Sequence, residues 1–175
     1  MSLKGKRVAI LVEQLYQELE VWYPYYRLKE EGASVTVVGS GTAKEYPGKY
    51  GYPIAVDQDV DQVKPGDFDA VVIPGGYAPD HMRRFPRMVE LVKKVYEQGG
   101  VIAAICHAGW MLASADIIRG VKCTSFFAIK DDMKNAGGKW EDREVVVDKR
   151  IITSRKPDDL PAFCQELIKA LSGLA

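Results

Sequence analysis

The sequence predicts an α/β protein with a mostly parallel, buried sheet, and three observations carry that expectation. Short apolar runs rich in β-branched residues recur at Val8–Val12, Val35–Val38, Asp69–Ile73 and Val101–Ile105; such near-continuous runs are typical of strands buried on both faces. Helix-spaced segments separate them. The opening order of strand, helix and strand fits a right-handed crossover.

In chain order, Val8 to Val12 follows a basic opening and reads as the first strand. Residues 18 to 31 read as a helix, with Leu19, Trp22, Tyr23, Tyr26 and Leu28 near helical spacing and Gly32 as its stop. Pro24 is expected in the first turns, where a missing N–H costs little. Val35 to Val38 forms the second strand. From Gly39 to Gly66 turn residues dominate, and Lys49 to Asp57 suggests a small hairpin at a sheet edge whose aromatic residues could serve a subunit contact. The strand Asp69 to Ile73 ends in Pro74-Gly75-Gly76, which places bare backbone N–H groups at the end of a sheet where open α/β folds hold ligands. A helix over residues 86 to 98 carries an inward stripe of Met88, Leu91, Val92 and Val95.

The central strand, Val101 to Ile105, opens after Gly99-Gly100 and leads into Cys106-His107 and a helix running to about Ala115. Residues 122 to 125 read as strand and 129 to 136 as a short helix stopped by Gly137. Residues 144 to 154 form a hairpin signal around a two-residue polar turn. A helix opened by Pro157-Asp158-Asp159 closes the fold, striped by Leu160, Phe163, Leu167, Ile168 and Leu171, with a frayed end expected after Ser172.

With 175 residues, 47% hydrophobic and 27% charged, the chain suits one domain spanning residues 1–175. Twenty-four basic and 24 acidic residues balance, so no general attraction to nucleic acid or anionic lipid is encoded. Three cysteines without C-x-x-C spacing argue against a disulfide framework or a zinc site, and neither metal nor cofactor is expected. No signal-peptide pattern or membrane-length apolar run occurs, so a soluble cytoplasmic protein is expected.

A nucleophile on a sharp strand-to-helix turn needs small residues two positions either side, as in G-x-S-x-G. Ala104-x-Cys106-x-Ala108 meets that need, and a helix start beyond it would lower the thiol pKa. Buried cysteines are also common as small hydrophobes; Cys123 and Cys164 read that way. Paired with the Gly75-Gly76 turn, the N–H groups of Gly76 and His107, with Gly75 beside them, could form an oxyanion hole. His107 could equally be a plain helix-starting residue, and Glu20 a carboxylate that complements a helix dipole. Asp80 lies soon enough after the glycine pair to reach the same crevice.

Several blocks, in order, resemble the ThiJ/PfpI superfamily and its PfpI-type intracellular cysteine peptidases. They are Leu19-Glu20-Val21-Trp22-Tyr23-Pro24, Arg27 to Gly32, Pro74 to Asp80, Ala104-Ile105-Cys106-His107, Ile129 to Gly137 and Thr153 to Leu160. The resemblance implies a flavodoxin-like three-layer α/β sandwich, similar to class I glutamine amidotransferases, with Cys106 on a nucleophile elbow. It implies a catalytic set of Cys106, His107, Asp80 and Glu20: Glu20 as a protonated donor to the sulfur, and Asp80 reaching His107 across a subunit boundary in a homodimer or a hexamer of dimers. The chain departs from the family's pattern at Gln17, at the short Asp80, at Ala108-Gly109, and at Phe126, which stands where relatives carry a tyrosine. The implied function is a cysteine hydrolase or lyase acting on a peptide or a small carbonyl substrate, as a peptidase, deglycase or glyoxalase. A redox-sensing or chaperone-like stress protein is the alternative. A glutaminase is disfavoured because no histidine follows His107.

Overall fold

In the computed structural model, which describes residues 2–173, a seven-stranded sheet runs in the order β10-β11-β7-β6-β1-β2-β5. Its strands are β1 (Arg7–Val12), β2 (Ser34–Gly39), β5 (Gln58–Asp59), β6 (Ala70–Ile73), β7 (Val101–Ile105), β10 (Val145–Asp148) and β11 (Ile151–Ser154). All neighbours pair in parallel except β10 and β11, the predicted hairpin. Lys149 in its turn has φ +55°, as a tight two-residue turn between twisted strands requires. Every residue of β6 and β7 is buried, so both faces of the sheet's centre are covered. The architecture is a flavodoxin-like α/β sandwich.

The covering helices are α1 (Glu18–Glu30), α2 (Ala78–Met82), α3 (Pro86–Glu97), α4 (Gly109–Ser114), α5 (Lys130–Asn135) and α6 (Leu160–Ser172). The stripe of α3 is buried as predicted, and so are Leu160, Phe163, Leu167 and Leu171 of α6. The α1 pattern is different. Its inward residues are Glu20, Val21, Pro24 and Leu28, while Leu19, Tyr23 and Tyr26 are exposed and Trp22 stacks on Tyr26. The run at helical spacing therefore gave the right element, and of its residues only Leu28 is fully buried. Pro24 lies deeper than expected, past the N–H groups that lack an intrahelical partner, so it withholds a bond from the Glu20 carbonyl. Gln17 caps the helix, its side chain accepting the N–H groups of Leu19 and Glu20.

The excursion after β2 also departs from expectation. Strands β3 (Glu45–Pro47) and β4 (Pro53–Ala55) form a hairpin sheet of their own, and the edge of the main sheet is β5. The hairpin is tied down by a buried network in which Ser40 donates to the Glu13 carboxylate and contacts the Tyr46 hydroxyl. Of the predicted strand at 122–125 only Lys122–Cys123 (β8) pairs, with β9 (Lys139–Trp140), a strand too short to signal itself. The helix expected from His107 begins as a 3₁₀ turn over Cys106–Ala108 before α4. The short α2 was not foreseen. The end expected to fray reaches Leu174 and Ala175, outside the described residues. Among the described residues, no helix is long and apolar enough to cross a membrane.

The chain runs from β1 outward to β2 and β5, then returns to β6 on the other side of β1. That reversal is a topological switch point, and the crevice at the strands' C-terminal ends is where such sheets place ligands. The loops leaving β1 and β6 are joined there: Gln17 N–H donates to Gly75 O at 3.3 Å and Tyr77 N–H to Leu15 O at 2.9 Å.

Candidate active site

Cys106 sits immediately past β7 with φ +63°, a conformation that costs a side-chain-bearing residue about 1–3 kcal/mol and is kept only where the surroundings impose it. Its carbonyl accepts Phe126 N–H at 3.1 Å. Ala104 and Ala108 are buried on either side, which accounts for the small-x-Cys-x-small pattern. Gly109 is confined as well, since a Cβ there would lie 2.5 Å from Met133 Sδ.

Three groups meet the sulfur. His107 Nδ1 lies 3.2 Å from Sγ. The backbone N–H groups of Gly76 and His107 both point to Sγ and favour the thiolate. The third is Glu20, wholly buried on α1. Gly75 was a candidate oxyanion donor, and here the structure corrects the expectation: its N–H donates to Glu20 Oε2 at 2.7 Å and is spent on the acid. The donor pair facing the sulfur is Gly76 and His107. Gly75 has a spatial role besides, because a Cβ on it would lie 2.5 Å from Cys106 Cβ and 2.7 Å from Glu20 Oε2. Gly76, at φ +73°, passes so close to the Leu15 carbonyl and Gln17 nitrogen that a Cβ would strike both.

Burial pushes the Glu20 carboxyl up to about 8, offset in part by the Gly75 N–H, the Cys106 thiol and the charge of Lys49. Its Oε1 has no hydrogen-bond partner among the described residues. A bare buried carboxylate oxygen is costly, so Glu20 keeps its proton at neutral pH. The thiol does not follow the expectation drawn from a helix start. Burial, and then the charge Glu20 would carry if ionised, push Cys106 up to about 12, against the pull of the Gly76 and His107 N–H groups. The two groups are coupled, the charge of an ionised Glu20 opposing ionisation of the thiol, so a neutral Glu20 leaves the thiolate easier to reach. Burial and Lys49 hold the His107 imidazole below its usual pKa, so it is neutral at pH 7 and able to accept a proton.

Glu20 also makes stability depend on pH. Below its ordinary value of 4.5 the group is neutral in both folded and unfolded chains. From there to about 8 the unfolded chain ionises while the folded one retains its proton, so stability falls as pH rises, by at most about 1.4 kcal/mol per pH unit. Above that window the loss levels off. Glu20→Gln, whose amide oxygen can still accept the Gly75 N–H, is expected to flatten this slope in urea unfolding measured from pH 5 to pH 8.

The cavity over the thiol has a volume of about 420 Å³. Phe126 stacks on His107 with centroids 5.0 Å apart, and Trp110 meets the same ring edge-on at 5.3 Å, so the imidazole has an aromatic wall. Buried Asp159 accepts the Arg155 N–H and guanidinium, fixing the turn that lays Lys156 and Pro157 on the opposite wall. Lys49 and Tyr50, from the β3–β4 turn, complete the mouth. Sequence reading missed both, because nothing in the hairpin pattern shows that it folds back over the crevice.

Cys106, His107, Glu20 and Gly76 are brought together within the chain. Asp80 is not: on α2 its carboxylate pairs with Arg84, one turn on, and it does not line the cavity. His81 contacts Gln14 at 3.5 Å.

The DJ-1/PfpI family profile matches residues 6–170. Deglycase PfpI of Pyrococcus furiosus is 43% identical, with 94% of this chain and 99% of that protein covered. Protein/nucleic acid deglycase 2 of Escherichia coli is 39% identical over 95% of this chain and 98% of its own length. A two-domain protein from Anabaena variabilis, with DJ-1/ThiJ/PfpI-like and ferritin-like domains, superposes with a TM-score of 0.93 at 43% identity; the match covers 95% of this chain and 48% of that one. The elbow, the glycine turn and the buried acid thus sit on a fold and sequence shared along nearly the whole chain, and the chain belongs to the DJ-1/PfpI family.

Proposed function

We propose that the protein is a cysteine-dependent enzyme acting on carbonyl compounds, of the deglycase or glyoxalase type, with Cys106 as nucleophile. The observation that carries this reading is the thiol on a strained elbow, 3.2 Å from a neutral imidazole nitrogen and facing two N–H donors at the floor of a small-molecule-sized cavity.

The chemistry follows from those positions. The thiol proton passes to His107 Nδ1 as sulfur adds to the carbonyl carbon. The C=O π pair moves to oxygen, where the N–H groups of Gly76 and His107 stabilise the charge. Glu20, keeping its proton, leaves the anionic charge to the sulfur and then to the adduct. With methylglyoxal bound to an amine as an aminocarbinol, the overall reaction consumes one water and yields lactate and the free amine, so His107 returns its proton within the cycle. The deglycase names of the Pyrococcus furiosus and Escherichia coli relatives support this reading, while a 37% identical relative from Bacillus subtilis is named a putative cysteine protease. Asp80 of a second protomer would orient His107 in a homodimer or larger assembly; supporting that reading, its carboxylate is about half exposed and pairs, among the described residues, with Arg84.

Product analysis tests the activity. A peptide pre-treated with methylglyoxal is expected to release lactate and regain its free amine with its backbone intact. Cleavage of the peptide without lactate would transfer the assignment to the peptidases, and no product from either substrate would end it.

A further inference from the structure

The cavity's cations are unequal. Lys156 is paired with Asp158 at 3.3 Å. Lys49 makes no ion pair among the described residues; its ammonium lies over the rings of Tyr50 and Tyr77, 5.4 and 5.9 Å from their centroids. Both rings are largely exposed at the mouth. The backbone that carries Lys49 is also held in place from below. Its backbone N–H donates to Tyr16 O at 2.7 Å, and the next residue's N–H donates to Glu18 Oε1 at 2.6 Å. Gly48 leaves room for this, since a Cβ would lie 2.3 Å from Glu18 Oε1 and displace that side chain. The turn is thus fastened to the loop and helix that carry Glu20.

An exposed ammonium with no ion-pair partner among the described residues, set over two tyrosine rings at the rim of a cavity with aromatic walls, is suited to a small anion. Its charge is felt at Cys106, Glu20 and His107 alike, which places it within electrostatic reach of the reacting centre. We infer that Lys49 is a specificity residue that selects carbonyl substrates bearing a carboxylate, holding the acid group at the cavity mouth while Cys106 adds to the carbonyl carbon. This rests on the function proposed above for its substrate, but the anion subsite itself can be read without turnover.

The probes are iodoacetate and iodoacetamide, electrophiles of nearly equal size of which one carries a carboxylate. The rate of Cys106 alkylation by each is followed by mass spectrometry, with glutathione as the free-thiol reference. Taking the ratio of the two rates cancels any change in thiolate fraction. The iodoacetate-to-iodoacetamide ratio should exceed that of glutathione and fall by about fivefold in Lys49→Met, the size of one unit charge acting across a wet mouth. Lys49→Arg should keep it. In turnover, 4,5-dioxopentanoate should be preferred to methylglyoxal by the wild type and by Lys49→Arg, and not by Lys49→Met. An unchanged ratio in Lys49→Met overturns the inference, as does failure of either reagent to reach Cys106. A ratio that depends on Lys49 in a protein that turns over neither dicarbonyl would sink the proposed activity and leave the anion subsite standing.

Discussion

Cys106→Ala should reduce turnover of methylglyoxal adducts by about a thousandfold or more, the scale on which enzymes lose rate when the nucleophile is removed and the binding site is left in place. Folding should survive. Alanine keeps the Cβ that the elbow already accommodates, and no disulfide is lost, since all three cysteines are free. The left-handed backbone remains strained for alanine, so the change in stability should be small in either direction. The informative comparison is with Cys106→Ser, which restores a heteroatom between the same N–H donors without a thiol's acidity or nucleophilicity. Rates measured with lactate as the product should be near background for both variants. Turnover close to that of the wild type in Cys106→Ala would place the chemistry elsewhere in the molecule.

The second large effect is expected at a residue with no side chain. Gly75→Ala puts a methyl carbon 2.5 Å from Cys106 Cβ and 2.8 Å from its sulfur, so the thiol, the Glu20 carboxyl or β6's exit must move. Overpacking of this kind usually costs about 1–3 kcal/mol. The loss in rate should be proportionately greater, roughly a hundredfold, because a nucleophile displaced by about 1 Å no longer meets its donors. Urea unfolding and kcat/KM on one preparation separate the two effects. A variant with a lowered unfolding midpoint and full activity would show that the contact of Gly75, Glu20 and Cys106 matters for packing alone.

Much of the sheet was legible because its central strands are buried on both faces. Runs such as Val101 to Ile105 have no polar interruption, and Gly99-Gly100 marks where the run begins; a Cβ at Gly100 would strike Val95. Helices α3 and α6 were legible for the opposite reason, having one wet face and one dry one. Helical spacing in α1 did not say which face turns inward: Trp22 stacks on Tyr26 and meets Tyr52 of the hairpin edge-on, while Tyr23 and Tyr26 are exposed. At the site, the small residues around Cys106 and the glycine turn announce a tight backbone, and backbone constraints are written locally. Gly75's bond to Glu20, the rise in that acid's pKa and the arrival of Lys49 arise from elements far apart in sequence. No local pattern carries them. The role proposed for Asp80 would depend on surfaces outside a single chain, which no local pattern carries.

The excursion that carries Lys49 leaves the main sheet at the end of β2 and rejoins it at β5, where Gly39 and Asp59 are paired neighbours. Its two ends are therefore already held side by side, and replacing what lies between them costs little in closure entropy. The nucleophile and the acid are built on other segments. An exchange of the excursion that kept its anchors to Glu13, Tyr16 and Glu18 would alter the cavity mouth while leaving the residues of the reacting centre in place.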